Sequence, residues 1–206
     1  MPRSKWQNEQ ARDARRVKIR ASALRQFALK GLGAARIQDI AAEIGMAQGL
    51  LYHYYPSKEA LYLDLAQGAL DKTIETVEAV QGMRGKAHDK LLYLMRILTG
   101  TIEQDESYAQ TLCLLSQSTA PLKLSDEDRN FLEEKRLFPY HVLAELFHEG
   151  QSEGSVEDGE PMDFSLLFWS LVTGLALHRT TYETPFPMPD HRILATMFLK
   201  NPAARS

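Results

Sequence analysis

Gln48, Gly49, Tyr52 and His53 stand close together and combine a bidentate amide, a residue without a side chain and two rings with polar tips. An amide of this kind can pair with an adenine edge in the major groove of a duplex. An aromatic ring there can lie against a thymine methyl or reach a phosphate. Bond-making chemistry has no comparable set: the sequence lacks a phosphate-cradling glycine loop, a cysteine cluster and a serine-led nucleophile motif. Glu145-x-x-His148, with His141 one turn earlier, has the spacing of a metal site on a helix, but no second Glu-x-x-His exists. The expectation is therefore no catalytic residue, no metal and no cofactor.

The elements that must position this set are short. Ile37, Ile40, Ala41 and Ile44 fall at i, i+3, i+4 and i+7, the apolar stripe of a short helix. Gly45 follows where a helix end calls for a left-handed residue. Gln48 to Tyr55 reads as a second helix whose Leu51 and Tyr55 face the first, and small Ala41 lets the two axes approach. That assignment turns Gln48, Gly49, Tyr52 and His53 outward. Pro56 stops the segment and Ser57 can cap the next helix. Two such helices around a tight glycine turn form a helix-turn-helix pattern. The competing reading is a solvated helix in an all-helical core.

Charge is distributed unevenly around this pattern. The chain is 206 residues with net charge −3, 44% apolar and 25% charged, ordinary for a folded protein. Residues 1–65 carry 11 Lys/Arg against 6 Asp/Glu, and the remainder carries 13 against 21, so a +5 head adjoins a −8 body. A basic module for a polyanion joined to an acidic body with another task fits that division. No apolar run follows the basic N-terminus. The most apolar stretch, 164–177, would span only ~21 Å as a helix, short of a ~30 Å hydrocarbon core. The single Cys113 lies among leucines and reads as a small core residue. Together these features point to a reducing cytoplasm and no membrane partner.

Taken in order, residues 1–10 are polar without an apolar period and read as a disordered basic arm. A helix is expected over 11–30, with Ala14, Val17, Ala21, Leu24 and Ala28 as its stripe and Arg12, Arg15, Arg16 and Lys18 largely off it. Gly31 and Gly33 end it, and residues 11–65 form the head. From Lys58 to about Val80 one long helix connects head to body, the body being 66–206. Further helices are expected over 86–104, 107–118 and 126–150, with Pro139 able to kink the last. Residues 120–124 and 151–161 read as loops. The helix over 164–177 is apolar all round and must be covered on both sides, by its own core and by a second copy. A final apolar helix holds Ile193, Leu194, Met197 and Phe198 beyond the Pro185-Phe186-Pro187 turn.

Gly31 through Ile40, Ala41, Gly45, Gly49, Leu51-Tyr52, Tyr54-Tyr55, Ser57-Lys58 and Leu61 resemble the TetR family of bacterial transcription regulators. The family pattern is a Thr-led helix entering "IA", then "GVS-x-G-T-LY-x-YF-x-SK-x-x-L". Three positions depart from it: Arg36 replaces the Thr, Ala47 the capping Ser and Leu50 the Thr after the glycine. Alanine at an N-cap costs ~1 kcal/mol against serine, so the second helix is expected to be weakly capped. The resemblance implies an all-α fold with DNA contacts from Arg36, Ala47, Gln48, Gly49, Leu50, Tyr52, His53, Tyr54 and Lys58. Lys58 opposes the dipole of its own helix, and beside the free N–H groups there it reads as a phosphate clamp.

The same resemblance implies a homodimer whose last two helices form a four-helix interface. Phe164, Phe168, Leu171, Gly174, Leu175, Ile193, Leu194 and Met197 are its candidates. A small-molecule effector pocket is implied in the body, where Tyr93, Arg96, Phe138, His141, Trp169 and His178 are candidate lining residues for an apolar or aromatic ligand. The expectation is a repressor on a palindromic double-stranded operator, released by its effector. The rival is an all-helical ligand-binding or enzymatic protein whose basic head makes protein contacts.

Overall fold

Apolar residues recurring every three to four positions pair helices across shared stripes, and capping side chains mark where some of them begin. The protein, in a computed structural model, is described over residues 5–117, 123–182 and 187–200. Nine helices occupy those residues: α1 (Lys5–Ala34), α2 (Ile37–Glu43), α3 (Gln48–Tyr52), α4 (Lys58–Gln81), α5 (Ala87–Gln104), α6 (Glu106–Ser116), α7 (Asp126–Ser152), α8 (Pro161–Thr181) and α9 (His191–Phe198). Among the described residues the only extended pairing is an isolated bridge between Val156 and Leu199. Ser57, Asp105, Ser125 and Asp190 accept backbone N–H bonds at the starts of α4, α6, α7 and α9, satisfying donors that a helix start leaves unpaired.

Two cores form. In the head, Ile19, Phe27, Ile40, Leu51, Leu61 and Tyr62 are fully buried, and Leu114 of α6 and Leu132 of α7 reach in from the body. In the body, Phe147 packs against Phe164, Phe168 and Phe198 at ring separations of 5.6, 6.5 and 5.4 Å, with Leu91, Leu94, Leu143 and Val172 around them. The α4 helix belongs to both: Leu61 to Leu70 lie in the head core, Val77 and Val80 in the body core.

The structure departs from the sequence expectations at several points. Of the arm expected to be disordered, residues 1–4 lie outside the described residues and Lys5 onward is helical. That stretch lacks an apolar stripe, but its Lys, Gln and Glu residues have good intrinsic helix propensity. Gly31 does not end α1 outright. It kinks it, at φ 76° and ψ 160°, and a further turn follows to Ala34. Gln117, at the end of α6, stitches that break: its amide nitrogen donates to Phe27 O at 2.8 Å, and Leu32 N donates to its amide oxygen at 3.1 Å. The α3 helix stops at Tyr52 rather than Tyr55. Helix α7 runs through Pro139 without interruption. The expected turn at Pro185 and Phe186, and most of the 120–124 loop, lie outside the described residues.

One head contact is ionisation-dependent. The Glu43 carboxylate accepts bonds from Gln26 Nε2 at 2.8 Å, Arg25 Nε at 2.8 Å and Ser22 Oγ at 2.9 Å, joining α2 to α1. Burial favours its protonated form, but the bonds from Gln26, Arg25 and Ser22 outweigh burial and hold the carboxyl below its ordinary range. A depressed carboxyl contributes stability above its unfolded value and loses it as pH falls through the folded value. Glu43→Gln should therefore cost about 1 kcal/mol at neutral pH and almost nothing in strong acid. Urea unfolding at both pH values checks this; equal losses would contradict it.

Candidate nucleic-acid interface and body cavity

The α2–α3 turn is built from backbone geometry and one glycine. Gly45 adopts φ 65°, a left-handed conformation that costs other residues energy. Gly45 N donates to Ala42 O and Met46 N to Ala41 O, at 3.1 and 2.8 Å, closing the end of α2. Ala41 is buried against the turn, and Leu51 and Tyr55 are buried beneath α3. Neither Arg36 at the start of α2 nor Ala47 at the start of α3 makes a side-chain cap.

With Leu51 and Tyr55 inward, Gln48, Gly49, Leu50, Tyr52 and His53 lie together on the outer surface, Leu50 and Tyr52 at 41% and 44% exposure. Arg36 and Ala47 are exposed beside them, and Tyr54 is half-buried against the head core. A side chain added at Gly49 would meet nothing within 4 Å. Packing within this chain thus does not demand the glycine, although mid-helix glycine costs roughly 0.5–1 kcal/mol against alanine. Close approach by another molecule supplies a reason for it.

The face rests on a polar brace beneath it. The Tyr55 hydroxyl donates to Asp64 Oδ2 at 2.6 Å and accepts from Arg16 Nε at 3.1 Å, while Arg20 pairs with the same carboxylate. Burial first, then the bond to Asp64, pushes the Tyr55 phenol up and keeps it protonated as a donor. Arg16, which also lies 5.3 Å over the Tyr55 ring, is thereby committed to the fold. Arg15 and Lys18 are not: with Ile44 to Ala47 and Leu50 they line a recess of about 310 Å³ at the start of α3. Their basic type and their place off the α1 stripe were legible, but their position beside α3 depends on the α1–α2 crossing.

Lys58 stands differently from its expected role. Its Nζ turns back onto the end of α1, donating to Leu32 O at 2.7 Å, Ala35 O at 3.3 Å and Gly33 O at 3.4 Å. A cation is unfavourable at its own helix start but favourable at the carbonyl end of another. Lys58 thus clamps α1 to α4 rather than standing open to a phosphate.

The expected interface residues divide. Phe168 and Leu194 are buried in the body core, and Phe164 packs on Phe147 and Phe198. Their apolar character reflects this chain's own interior. The outward face of α8 is instead Leu166, Leu167, Ser170, Gly174 and Leu177, flanked by half-buried Leu171 and Leu175. With Ile193 and Met197 of α9, at 59% and 56% exposure, it forms a continuous apolar surface. An all-apolar helix hides which side faces in, so the sequence pattern could not separate the two sets.

The body holds a cavity of about 90 Å³ between α4, α6, α7 and α8. Of the six expected lining residues only Trp169 borders it, with Leu70, Leu112, Arg136, Pro139 and Tyr140 among the others. Arg96 is exposed beneath Tyr93 on α5. Phe138 and His141 are exposed on the other side of α7, and His178 stacks on Tyr182 at 4.9 Å. Residue size had suggested them; helix rotation, which selects Arg136, Pro139 and Tyr140 at i, i+3 and i+4, decides otherwise. Glu145 accepts a bond from Gln81 Nε2 at 2.7 Å. Among the described residues no three His, Cys, Asp or Glu side chains converge on a metal position, and no helix is long and apolar enough to cross a membrane.

Comparison with known proteins follows this geometry. Residues 19–65 match the family described as bacterial regulatory proteins, tetR family. A 56-residue segment is 41% identical to YuxN, an uncharacterized HTH-type transcriptional regulator of Bacillus subtilis (strain 168), spanning 27% of this chain and 19% of that protein. Over 142 residues, 69% of each chain, the identity to the HTH-type transcriptional repressor KstR2 of Mycobacterium tuberculosis (strain CDC 1551 / Oshkosh) is 25%. The solved structure of that species' ketosteroid transcriptional regulator KstR2 aligns with a TM-score of 0.71 at 20% identity, covering 91% of this chain and 96% of that one. AibR, in complex with isovaleryl coenzyme A and operator DNA, aligns with a TM-score of 0.68 at 21% identity, covering 87% and 92%. The two solved structures share this fold.

The Lys58 clamp has a direct consequence. Lys58→Met should lower the melting temperature of the protein alone, by ~2–4 °C for about 1 kcal/mol of lost charged hydrogen bonding. An unchanged melting curve would show that the lysine does not hold α1 to α4.

Proposed function

We propose, for a chain that belongs to the TetR family of bacterial regulatory proteins, that it works as a homodimeric repressor which a small molecule releases from its operator. The chain is a DNA-binding transcriptional regulator with its reading head at residues 19–65. The outward face of α3 carries this reading: an amide, an unneeded glycine, an exposed leucine and two ring side chains on a basic head. Gln48 is assigned to a base edge, and Leu50 to a thymine methyl in place of the hydroxyl contact that the family's threonine supplies. Arg36, Arg15 and Lys18 are assigned to phosphates, which position the head without reading sequence. The exposed α8–α9 surface supports the dimer. Two copies would cover it and set two heads about 34–36 Å apart, one helical turn of a palindromic duplex.

A ligand-binding body is supported by AibR, whose structure holds isovaleryl coenzyme A and operator DNA, and by the cavity bordering α4 here. A molecule that binds the body better in one head spacing would shift the population away from DNA. On this reading the protein acts on the chromosome in the cytoplasm and catalyses no reaction.

Selection from random duplexes tests the assignment. Wild type should enrich a palindrome. Gln48→Ala should still bind but lose roughly 1–3 kcal/mol of discrimination at one position in each half-site, and Arg36→Ala should weaken all sequences alike and reduce the salt slope by about 1. Ile193→Glu should give a monomer in sedimentation and abolish palindrome preference. Recovery of no enriched sequence by wild type would overturn the proposal.

A further inference from the structure

The body cavity is chemically one-sided. Its walls are leucines, a proline, aromatic rings and the side chains of Thr73, Ser116 and Thr173, and its lining includes one cation, Arg136, and no acid. Two buried ring or guanidinium N–H donors at this cavity have no acceptor. Trp169, 5% exposed, keeps its indole N–H buried and unbonded, and so does the Arg136 Nε–H. A buried donor without a partner is a costly arrangement that native structures seldom keep without a use. The hydroxyls of Thr73 and Ser116 already donate to Ala69 O and Cys113 O, at 2.9 and 2.8 Å, so they add no demand for a further acceptor. The charge on Arg136 is little offset, since its nearest carboxylate, Glu133 Oε1, lies 4.0 Å away on an exposed side chain.

Arg136 also links the cavity to the head. Its guanidinium donates to the Tyr62 hydroxyl at 3.3 Å. Tyr62 is fully buried in the head core and meets Phe27 of α1 edge-on at 6.3 Å. The guanidinium is therefore shared between the effector cavity and the helix that carries the head.

We infer that the effector is a small apolar carboxylate, whose oxygens accept from Arg136 Nε and Trp169 Nε1 and whose hydrocarbon part fills the leucine-lined space. The cavity, about 90 Å³ and open on one side, admits a short hydrocarbon chain whose end reaches the opening and excludes a wholly enclosed drug-sized molecule. Binding draws the guanidinium toward the carboxylate and away from Tyr62, and the head is released through α4. This names the ligand class for the regulator proposed above, and rests on that reading only for its effect on DNA.

Calorimetry on the full chain with butanoate and hexanoate, against butanamide and hexanamide, tests the cavity without DNA. Wild type should bind a carboxylate at least about tenfold more tightly than its amide, as a charge-assisted pair requires. Arg136→Met should erase that preference. Trp169→Phe, which keeps the ring packing, should weaken the carboxylate and decides the matter if Arg136→Met does not fold. Equal binding of acid and amide, or binding of neither, overturns the assignment. The coupling is tested on the selected duplex: hexanoate should weaken binding by wild type and leave Tyr62→Phe unaffected, although Tyr62→Phe still binds hexanoate. A Tyr62→Phe protein that responds like wild type overturns the coupling. Failure of wild type to select any duplex would remove the regulator reading while the calorimetry still judges the cavity.

Discussion

Helix α4 is shared by two cores, and this constraint shapes everything else in the molecule. Its 24 residues make a rod of about 36 Å. The first half is sealed among α1, α2 and α3, the second against α5 and α7. Ser57 caps its start, Lys58 ties that start to the carbonyl end of α1, and Val77 and Val80 anchor the far end. An unbroken hydrogen-bonded helix does not bend cheaply, so a shift where it passes the cavity becomes a shift of the head. Leu114, Leu132 and Gln117 reinforce the coupling, because body helices finish the head core and stitch the kink in α1.

The reading surface is stabilised from beneath rather than from within. A five-residue helix without a side-chain cap, and with a glycine at its second position, has little stability of its own. Buried Leu51 and Tyr55, with the Tyr55–Asp64–Arg16–Arg20 brace, supply the stability instead. That division leaves the outer residues without structural duties, so their chemistry is free for the duplex contacts proposed above. It also explains why alanine at position 47 and leucine at position 50 are tolerated where the family has hydroxyls.

The parts legible in the sequence were those governed by local spacing. The stripe Ile37–Ile44, Gly45 at the turn, Ser57 at its cap and the opposite faces of Leu51 and Gln48 follow from a 3.6-residue period and backbone sterics, and the structure has them all. Features set by how distant helices rotate against one another were not legible. The opposition of Lys58 to its own helix dipole is a local feature, but its partner carbonyls lie more than twenty residues earlier in the chain. Residue size points to Phe138 and His141 for the cavity lining, whereas the crossing of α7 on α8 selects Arg136 and Tyr140 and turns Phe138 and His141 outward. In α8, uniformly apolar sequence concealed that Phe168 faces the core while Leu166, Gly174 and Leu177 face out. The helical start of α1 was missed for a related reason, since propensity without an apolar stripe gives no periodic signal.

In the proposed dimer the two heads hold one separation on DNA and another when the body cavity is filled. Double electron–electron resonance between spin labels at Gln38→Cys, in a Cys113→Ser background, measures that separation directly, because Gln38 is exposed on α2 and outside the reading face. One narrow distance distribution is expected on the selected duplex and a displaced one with saturating hexanoate. Identical distributions in the two states, or no dipolar coupling between labels, would contradict that expectation.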